Sequence, residues 1–162
     1  MKAKFQEYLK NKWIKTILII SLIFILMAIP AVFLDYQRSP GTLKISFLDI
    51  GQGDSILIET PDRHLILVDG GPNDAVLHAL SKELSFWQRT FDLLILTNPD
   101  RDHFDGFLNI LDRYTVKQFL ISGVWKENPF TKALLGKIAE KQVPLLFANR
   151  AEDFFFDHGV TV

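Results

Sequence analysis

The chain of 162 residues contains no cysteine. Disulfides and thiolate metal sites are therefore excluded, and any metal must be held by histidine, carboxylate or amide oxygen. Charge of one sign is not in excess. The formal net charge is -1, so no global basic field argues for nucleic-acid binding. The G-x-G-x-x-G spacing of a dinucleotide site is missing, and so are internal repeats and low-complexity segments. Polar residues are almost absent from Ile17 to Leu34, where Ser21 stands alone and Pro30 lies near the far end.

With Thr16 this run gives 19 residues between Lys15 and Asp35. A helix needs about 20 residues to cross the hydrocarbon core of a bilayer. Lys2, Lys4, Lys10, Lys12 and Lys15 precede the run against Glu7 alone, and Asp35, Arg38 and Lys44 follow it. The positive-inside rule then puts the N-terminus in the cytoplasm and the rest of the chain outside. Trp13 suits an interfacial anchor. A cleaved signal peptide is the alternative, but its apolar region is normally about 7 to 15 residues with a small-x-small site after it, and none follows here. A run with no polar face does not suit a buried core helix. The expected organisation is a basic cytoplasmic segment over 1–15, a transmembrane helix over 16–34, a linker over 35–41 and a soluble domain over 42–162.

Within that domain, Leu43, Ile45 and Phe47 alternate with Lys44 and Ser46, the pattern of a half-buried strand. Ser55–Glu59 and His64–Val68 predict two more, joined by the turn Thr60-Pro61-Asp62-Arg63. Asn73 or Asp74 can cap a helix carrying Leu77, Leu80, Leu84 and Trp87 on one face. Phe91–Thr97 predicts a strand buried on both sides. A helix marked by Phe107, Leu108, Leu111 and Tyr114 follows, then a strand over Lys117–Ser122, a helix over Phe130–Lys141 and a strand over Pro144–Ala148. Phe154–Phe156 and Val160–Val162 suggest a hairpin across Asp157-His158-Gly159. Three meander-like strands followed by alternating helices and strands predict a mixed α/β layered fold. The pattern stops inside a strand at Val162, so the domain is expected to be truncated at its C-terminus, as a fragment or by a shortened gene.

The chemistry is concentrated in Thr97-Asn98-Pro99-Asp100-Arg101-Asp102-His103-Phe104-Asp105-Gly106. In an extended loop alternate residues point the same way, so Asn98, Asp100 and Asp102 can converge, and His103 can join them. Carboxylates and a neutral imidazole suit Zn, Mn or Fe, and a metal so held lowers the pKa of bound water to about 7. Asp100 and Asp102 are also the candidates for proton acceptor. The plainer alternative is that these aspartates cap the next helix and that the histidine binds nothing. Asp49-Ile50-Gly51-Gln52-Gly53-Asp54 is either a glycine bulge or a turn that sets Asp54 behind the metal loop. Asp69-Gly70-Gly71 ends a strand at the same edge and can be a plain turn. His64 and His78 are expected to face solvent, His158 to be structural, and Trp87 and Trp125 to pack.

Three motifs occur together and in order: Phe47–Ile58 around Gly51-Gln52-Gly53-Asp54, then Ile66–Gly71, then Leu94–Gly106. Together they resemble the metallo-β-lactamase-fold proteins of the ComEC competence type, over about Leu43 to Val162. The resemblance implies the N-terminal half of an αββα sandwich with a metal site at one edge. It implies a divalent metal, Zn or Mn, as one or two ions. The superfamily pattern is H-x-H-x-D-H, and the ComEC-like branch typically has H-x-D-x-D-H. Carried over, Asp100 takes the second position, Asp102 and His103 match the aspartate and histidine of the second metal site, and Asn98 stands where the first histidine would be. The remaining ligands of the family lie in the second half of its domain. The implied function is a membrane-anchored metal-dependent hydrolase with a nuclease-like or phosphodiesterase-like substrate, so the expected partners are the lipid bilayer and nucleic acid. The alternative is a catalytically degenerate member that serves as a binding or scaffold module.

Overall fold

In the computed structural model the backbone is described for residues 2–36, 41–123, 126–148, 155–156 and 160–161, and side chains for 12–30, 32, 41–123 and 126–148. Helix α1 runs Lys2–Tyr36 and passes through Pro30. Its stretch Lys12–Pro30 is long and apolar enough to cross a membrane, and none of it is buried inside the protein. The chain divides into two compact units, Met1–Pro40 and Gly41–Val162.

The second unit is a mixed α/β layer. Strands β1 (Lys44–Phe47), β2 (Ile56–Glu59) and β3 (Leu65–Val68) form an antiparallel meander. Helix α2 (Ala75–Glu83) leads through the short β4 (Thr90–Phe91) to β5 (Leu93–Leu96), which lies parallel to β3. Helix α3 (Arg101–Arg113), short β6 (Thr115–Val116) and β7 (Phe119–Ile121) repeat the crossover, and α4 (Pro129–Glu140) with β8 (Leu145–Phe147) repeats it again. The sheet order is β1-β2-β3-β5-β7-β8, while β4 pairs with β6 and the hairpin strands β9 (Phe155–Phe156) and β10 (Val160–Thr161) pair with each other. Each parallel crossover steps one place in the same direction, and right-handed crossovers of that kind put their helices on one face of a sheet.

That face is closed. Leu57, Leu67, Leu94, Leu96, Phe119 and Ile121 from the strands pack in one cluster with Val76 and Leu80 of α2, Phe104, Phe107 and Ile110 of α3, and Leu134 and Ile138 of α4. Phe107 meets Phe119 edge-on with ring centroids 5.2 Å apart, a favourable arrangement for two aromatic quadrupoles. The α4 start is set by a capping box, in which Asn128 accepts from the Thr131 amide and the Thr131 hydroxyl accepts from the Asn128 amide, with Pro129 in the first turn. The opposite face has its own apolar cluster of Ile66, Leu93 and Leu120, flanked by Ile58, Val68, Ile95 and Leu146.

Several sequence expectations are corrected. The sequence pattern puts Leu43, Ile45 and Phe47 on the buried side of β1; they are exposed instead, because β1 is an edge strand and Ile45 lies on the face opposite α2, α3 and α4. The strand expected over Phe91–Thr97 breaks at Asp92, because Phe91 pairs with Val116 of β6 whereas Leu93 pairs with Ile66 of β3. The strand expected over Lys117–Ser122 is shorter, β7 covering Phe119–Ile121, and the Lys117 amide donates to the Phe91 carbonyl instead. Helix α2 ends at Glu83, so Trp87 lies in the following turn, exposed rather than packed. Asp74 holds its N-cap position but makes no side-chain cap bond, and Asn73 just before it accepts from the Ala75 amide through Oδ1. His64 is half-buried, with Nδ1 3.2 Å from Asp92 Oδ1, and His78 is exposed as expected. Trp125 and His158 lie outside the described residues.

Candidate functional site

The three motifs meet at one end of the sheet. Phe47 pairs with Ile56, Ile56 with Val68, and Val68 with Ile95, so the segments that follow Phe47, Val68 and Leu96 leave the sheet side by side. Asp69 is at their centre. Its backbone is in the left-handed region (φ 56°), a conformation that aspartate tolerates better than most residues, and its side chain is 5% exposed.

Every polar atom of Asp69 is used. Its amide donates to the Ile95 carbonyl at 2.8 Å, and its carbonyl accepts from the Ser55 hydroxyl at 2.8 Å. Oδ1 accepts from the Thr97 amide at 2.8 Å, and Oδ2 accepts from the Thr97 hydroxyl at 2.5 Å. Oδ2 also lies 2.9 Å from His103 Nδ1. A carboxylate only accepts, so Nδ1 carries the proton and Nε2 is left as the lone-pair nitrogen. Burial favours the neutral ring, but the hydrogen bond and charge of Asp69, then the charges of Asp102 and Asp54, outweigh it and hold the imidazole above its ordinary range.

Two glycines allow this closeness. At Gly53 (φ 101°) a Cβ would collide with the Asp102 carbonyl oxygen, and at Gly106 one would collide with the Gly70 carbonyl. The Gly106 amide donates to the Gly71 carbonyl at 2.9 Å and the Gly70 amide to the His103 carbonyl at 2.5 Å, which fastens α3 to the turn after β3.

The rest of the quartet does not converge as expected. Helix α3 starts at Arg101, so the two-residue alternation ends at Asp100 and Asp102 belongs to the first helical turn. Asn98 and Asp100 do meet, Nδ2 donating to Oδ2 at 3.1 Å. The other Asp100 oxygen takes the Lys126 ammonium at 2.6 Å. Lys126 first, and the Asn98 amide with it, holds the Asp100 carboxyl below the usual range against the opposing effect of desolvation. Asp100 occupies the N-cap position of α3 without making a side-chain cap bond, so capping does not account for it. Among the described residues Asp102 and Asp54 have no hydrogen-bond or ion-pair partner and act on His103 through charge alone.

The donor chemistry can be tested against a divalent ion. His103 has the arrangement that suits a ligand, with one ring nitrogen fixed by a carboxylate and the other open. Asp102 adds a carboxylate on the same turn. Yet among the described residues no three histidine, aspartate or glutamate side chains lie close enough together to hold a metal ion. The residues present therefore supply part of a donor set and do not by themselves fit a complete one.

Asp69, whose sequence context reads equally as a plain turn, is thus the organising residue, and it is joined by Thr97 and by Lys126 at Asp100. A threonine directly after a buried strand, facing a neighbouring strand-end aspartate, was the available signal for Thr97. Nothing in the local sequence signals Lys126, which comes from 26 positions away. No protein-family model matches this chain, and no curated protein matches it.

Proposed function

We propose that this protein is a membrane-anchored, metal-dependent hydrolase of metallo-β-lactamase fold, similar to the ComEC-type branch, with a phosphodiester as its substrate class. The observation that carries this reading is the Asp69–His103–Thr97 network, which holds one imidazole nitrogen and presents the other at a strand-end loop. His103 and Asp102 are the residues of this stretch that would hold a Zn or Mn ion, with Asp100 joining them once Lys126 lets go. The ion would supply a Lewis acid that polarises the scissile bond. Asp69 positions His103, Thr97 fixes Asp69, and Gly53 and Gly106 let three loops approach.

The αββα sandwich belongs to this reading, and the second sheet face supports it. Ile45, Ile58, Ile66, Val68, Leu93, Ile95, Leu120 and Leu146 share the face that no helix of the closed cluster covers. The membrane anchor, with the N-terminus cytoplasmic and the domain outside, is supported by the apolar Lys12–Pro30 stretch and the lysines before it.

One observation favours the scaffold alternative: both Asp100 oxygens are taken, one by the Lys126 ammonium and one by the Asn98 amide. The experiment is a manganese titration of the full chain in detergent, followed by electron paramagnetic resonance, with Asp102→Asn, His103→Gln and Lys126→Met beside the wild type. Weaker binding in the first two and tighter binding in the third is the expected result. Identical binding in all four, or none in any, sinks the metal site and leaves the scaffold.

A further inference from the structure

The end of the sheet opposite the Asp69–His103 network carries features that hydrolysis does not use. β1 begins there, since Lys44 pairs with Glu59 at the far end of the ladder from Ile56. Helix α2 ends there too, with Lys44 Nζ 2.7 Å from Glu83 Oε2. Just past α2, Phe86 and Trp87 are 73% and 66% exposed, with ring centroids 5.3 Å apart. The Arg89 guanidinium lies 4.8 Å from the Phe86 ring centroid and 5.8 Å from that of Tyr114. Among the described residues neither Arg89 nor Arg113 has a carboxylate partner. Both line a cavity of about 340 Å³, together with Tyr114 and Thr115.

The chain also joins the domain at this end, for the Gly41 amide donates to the Pro61 carbonyl in the β2–β3 turn. Residues 31–40 alone separate it from the apolar stretch of α1, and since 31–36 continue that helix, 37–40 add at most about 14 Å of reach. Trp and Phe favour the headgroup level of a bilayer, and arginine pairs with phosphate. The two ends differ in charge: among the described residues Arg89 and Arg113 have no carboxylate partner at this one, where Glu59 is the one acid in the same position, whereas Asp54 and Asp102 are without partners at the other. An anionic surface attracts the first and repels the second.

We propose that this end docks on the bilayer, with Phe86 and Trp87 entering the interface and Arg89 and Arg113 meeting the phosphates of anionic lipid. The inference rests on α1 spanning the membrane. Docked in this way, the domain turns the Asp69–His103 network away from the lipid.

The test uses the full chain reconstituted into vesicles of brominated phosphatidylcholine with phosphatidylglycerol. Two single-tryptophan proteins are compared, one keeping Trp87 (Trp13→Phe, Trp125→Phe) and one keeping Trp13 (Trp87→Phe, Trp125→Phe). Quenching of both by the brominated lipid supports docking, with Trp87 less quenched when phosphatidylglycerol is left out. Arg113→Gln lowers the docked-to-undocked ratio about fivefold, the effect of one interfacial cation. Quenching of Trp13 without Trp87 overturns docking and leaves the anchor intact. Absence of quenching at Trp13 overturns the anchor and this inference with it. Trp87 shielded from aqueous acrylamide but not quenched by lipid, with shielding that fades on dilution, overturns the lipid in favour of a second copy of the chain. Should the tryptophan variants fail to fold, a nitroxide on Lys82→Cys in the otherwise cysteine-free chain reads the same depth by paramagnetic accessibility.

Discussion

Replacing Asp69 isolates the interaction on which the site depends. Its carboxylate accepts from the Thr97 amide, the Thr97 hydroxyl and His103 Nδ1, all at 2.5 to 2.9 Å, in a position 5% exposed. Hydrogen bonds to a charged group contribute about 1.5–3 kcal/mol each, and neutral ones about 0.5–1.5 kcal/mol. In Asp69→Asn the Thr97 amide keeps an oxygen acceptor. The imidazole must change tautomer to accept from the new amide, and all three charge-assisted bonds become neutral ones, so the cost is about 2–4 kcal/mol. In Asp69→Ala three donors lose their partner, and the cost rises to about 3–5 kcal/mol because buried donors stay unsatisfied. The carboxylate raises the His103 pKa in the fold. A raised pKa contributes stability that is fully present below the unfolded value of about 6.5 and is lost as pH rises through the folded value. The cost of Asp69→Asn is therefore larger at pH 5 than at pH 8. Urea unfolding in mild detergent at both pH values, with the His103 titration followed by NMR, measures both effects. An Asp69→Ala protein within about 0.5 kcal/mol of wild type, with an unchanged His103 titration, refutes the role given to Asp69.

Gly106→Ala places a methyl group against the Gly70 carbonyl and Val76; overpacking of this kind costs about 1–3 kcal/mol, and an unchanged urea midpoint contradicts the close approach. Asp92 Oδ2 accepts from the Leu65 amide at 2.9 Å and Oδ1 from the Lys117 ammonium at 2.6 Å. Burial raises its pKa, but Lys117, the Leu65 amide and His64 together lower it further, so the stability it contributes is present above pH about 3.8 and is lost as pH falls through its depressed folded value. Asp92→Asn should flatten that part of the acid limb, and an acid limb identical to wild type would count against the account. Lys126→Met should let the Asp100 titration rise toward the ordinary carboxylate range with little change in overall stability, since both groups are largely exposed. An Asp100 midpoint that does not move by NMR removes the Lys126 pairing.

Local periodicity was enough to locate nearly every helix and strand of the domain, because each helix carries its buried stripe at helical spacing and the β3, β5 and β7 strands are short apolar runs. The departures have physical causes that no local pattern contains. Alternation in β1 shows that one side is apolar, but the side that gets covered depends on where the helices land, and they land on the other face. Asp92 interrupts a run that looks continuous because the residues on either side of it pair with different strands, Phe91 with Val116 of β6 and Leu93 with Ile66 of β3. At the site, the grouping of Asn98, Asp100, Asp102 and His103 could be seen in the sequence, but the α3 start at Arg101 could not, and it parts Asp102 from Asn98 and Asp100. Asp69 stood in plain view next to two glycines, yet its three acceptor bonds come from Thr97 and His103 on the neighbouring loop.

The sheet face opposite α2, α3 and α4 bears on the same question as the incomplete donor set. A sheet can leave one face to water when that face is polar. Here the face opposite the helices is apolar along β1, β2, β3, β5, β7 and β8, from Ile45 through Ile58, Ile66, Leu93 and Leu120 to Leu146. Burial across it is graded: Ile66 and Leu93 in the centre are fully buried, while Phe47 at the β1 edge is 80% exposed. A two-layer domain with a finished outer face would carry polar residues there, as α3 does with Arg101, Asp112 and Arg113 on its solvent side. An αββα sandwich would cover this face with a second sheet. The end of that sheet would then lie beside the strand ends where His103 presents Nε2. On the proposed reading, further donors would arrive at that edge and join His103 and Asp102.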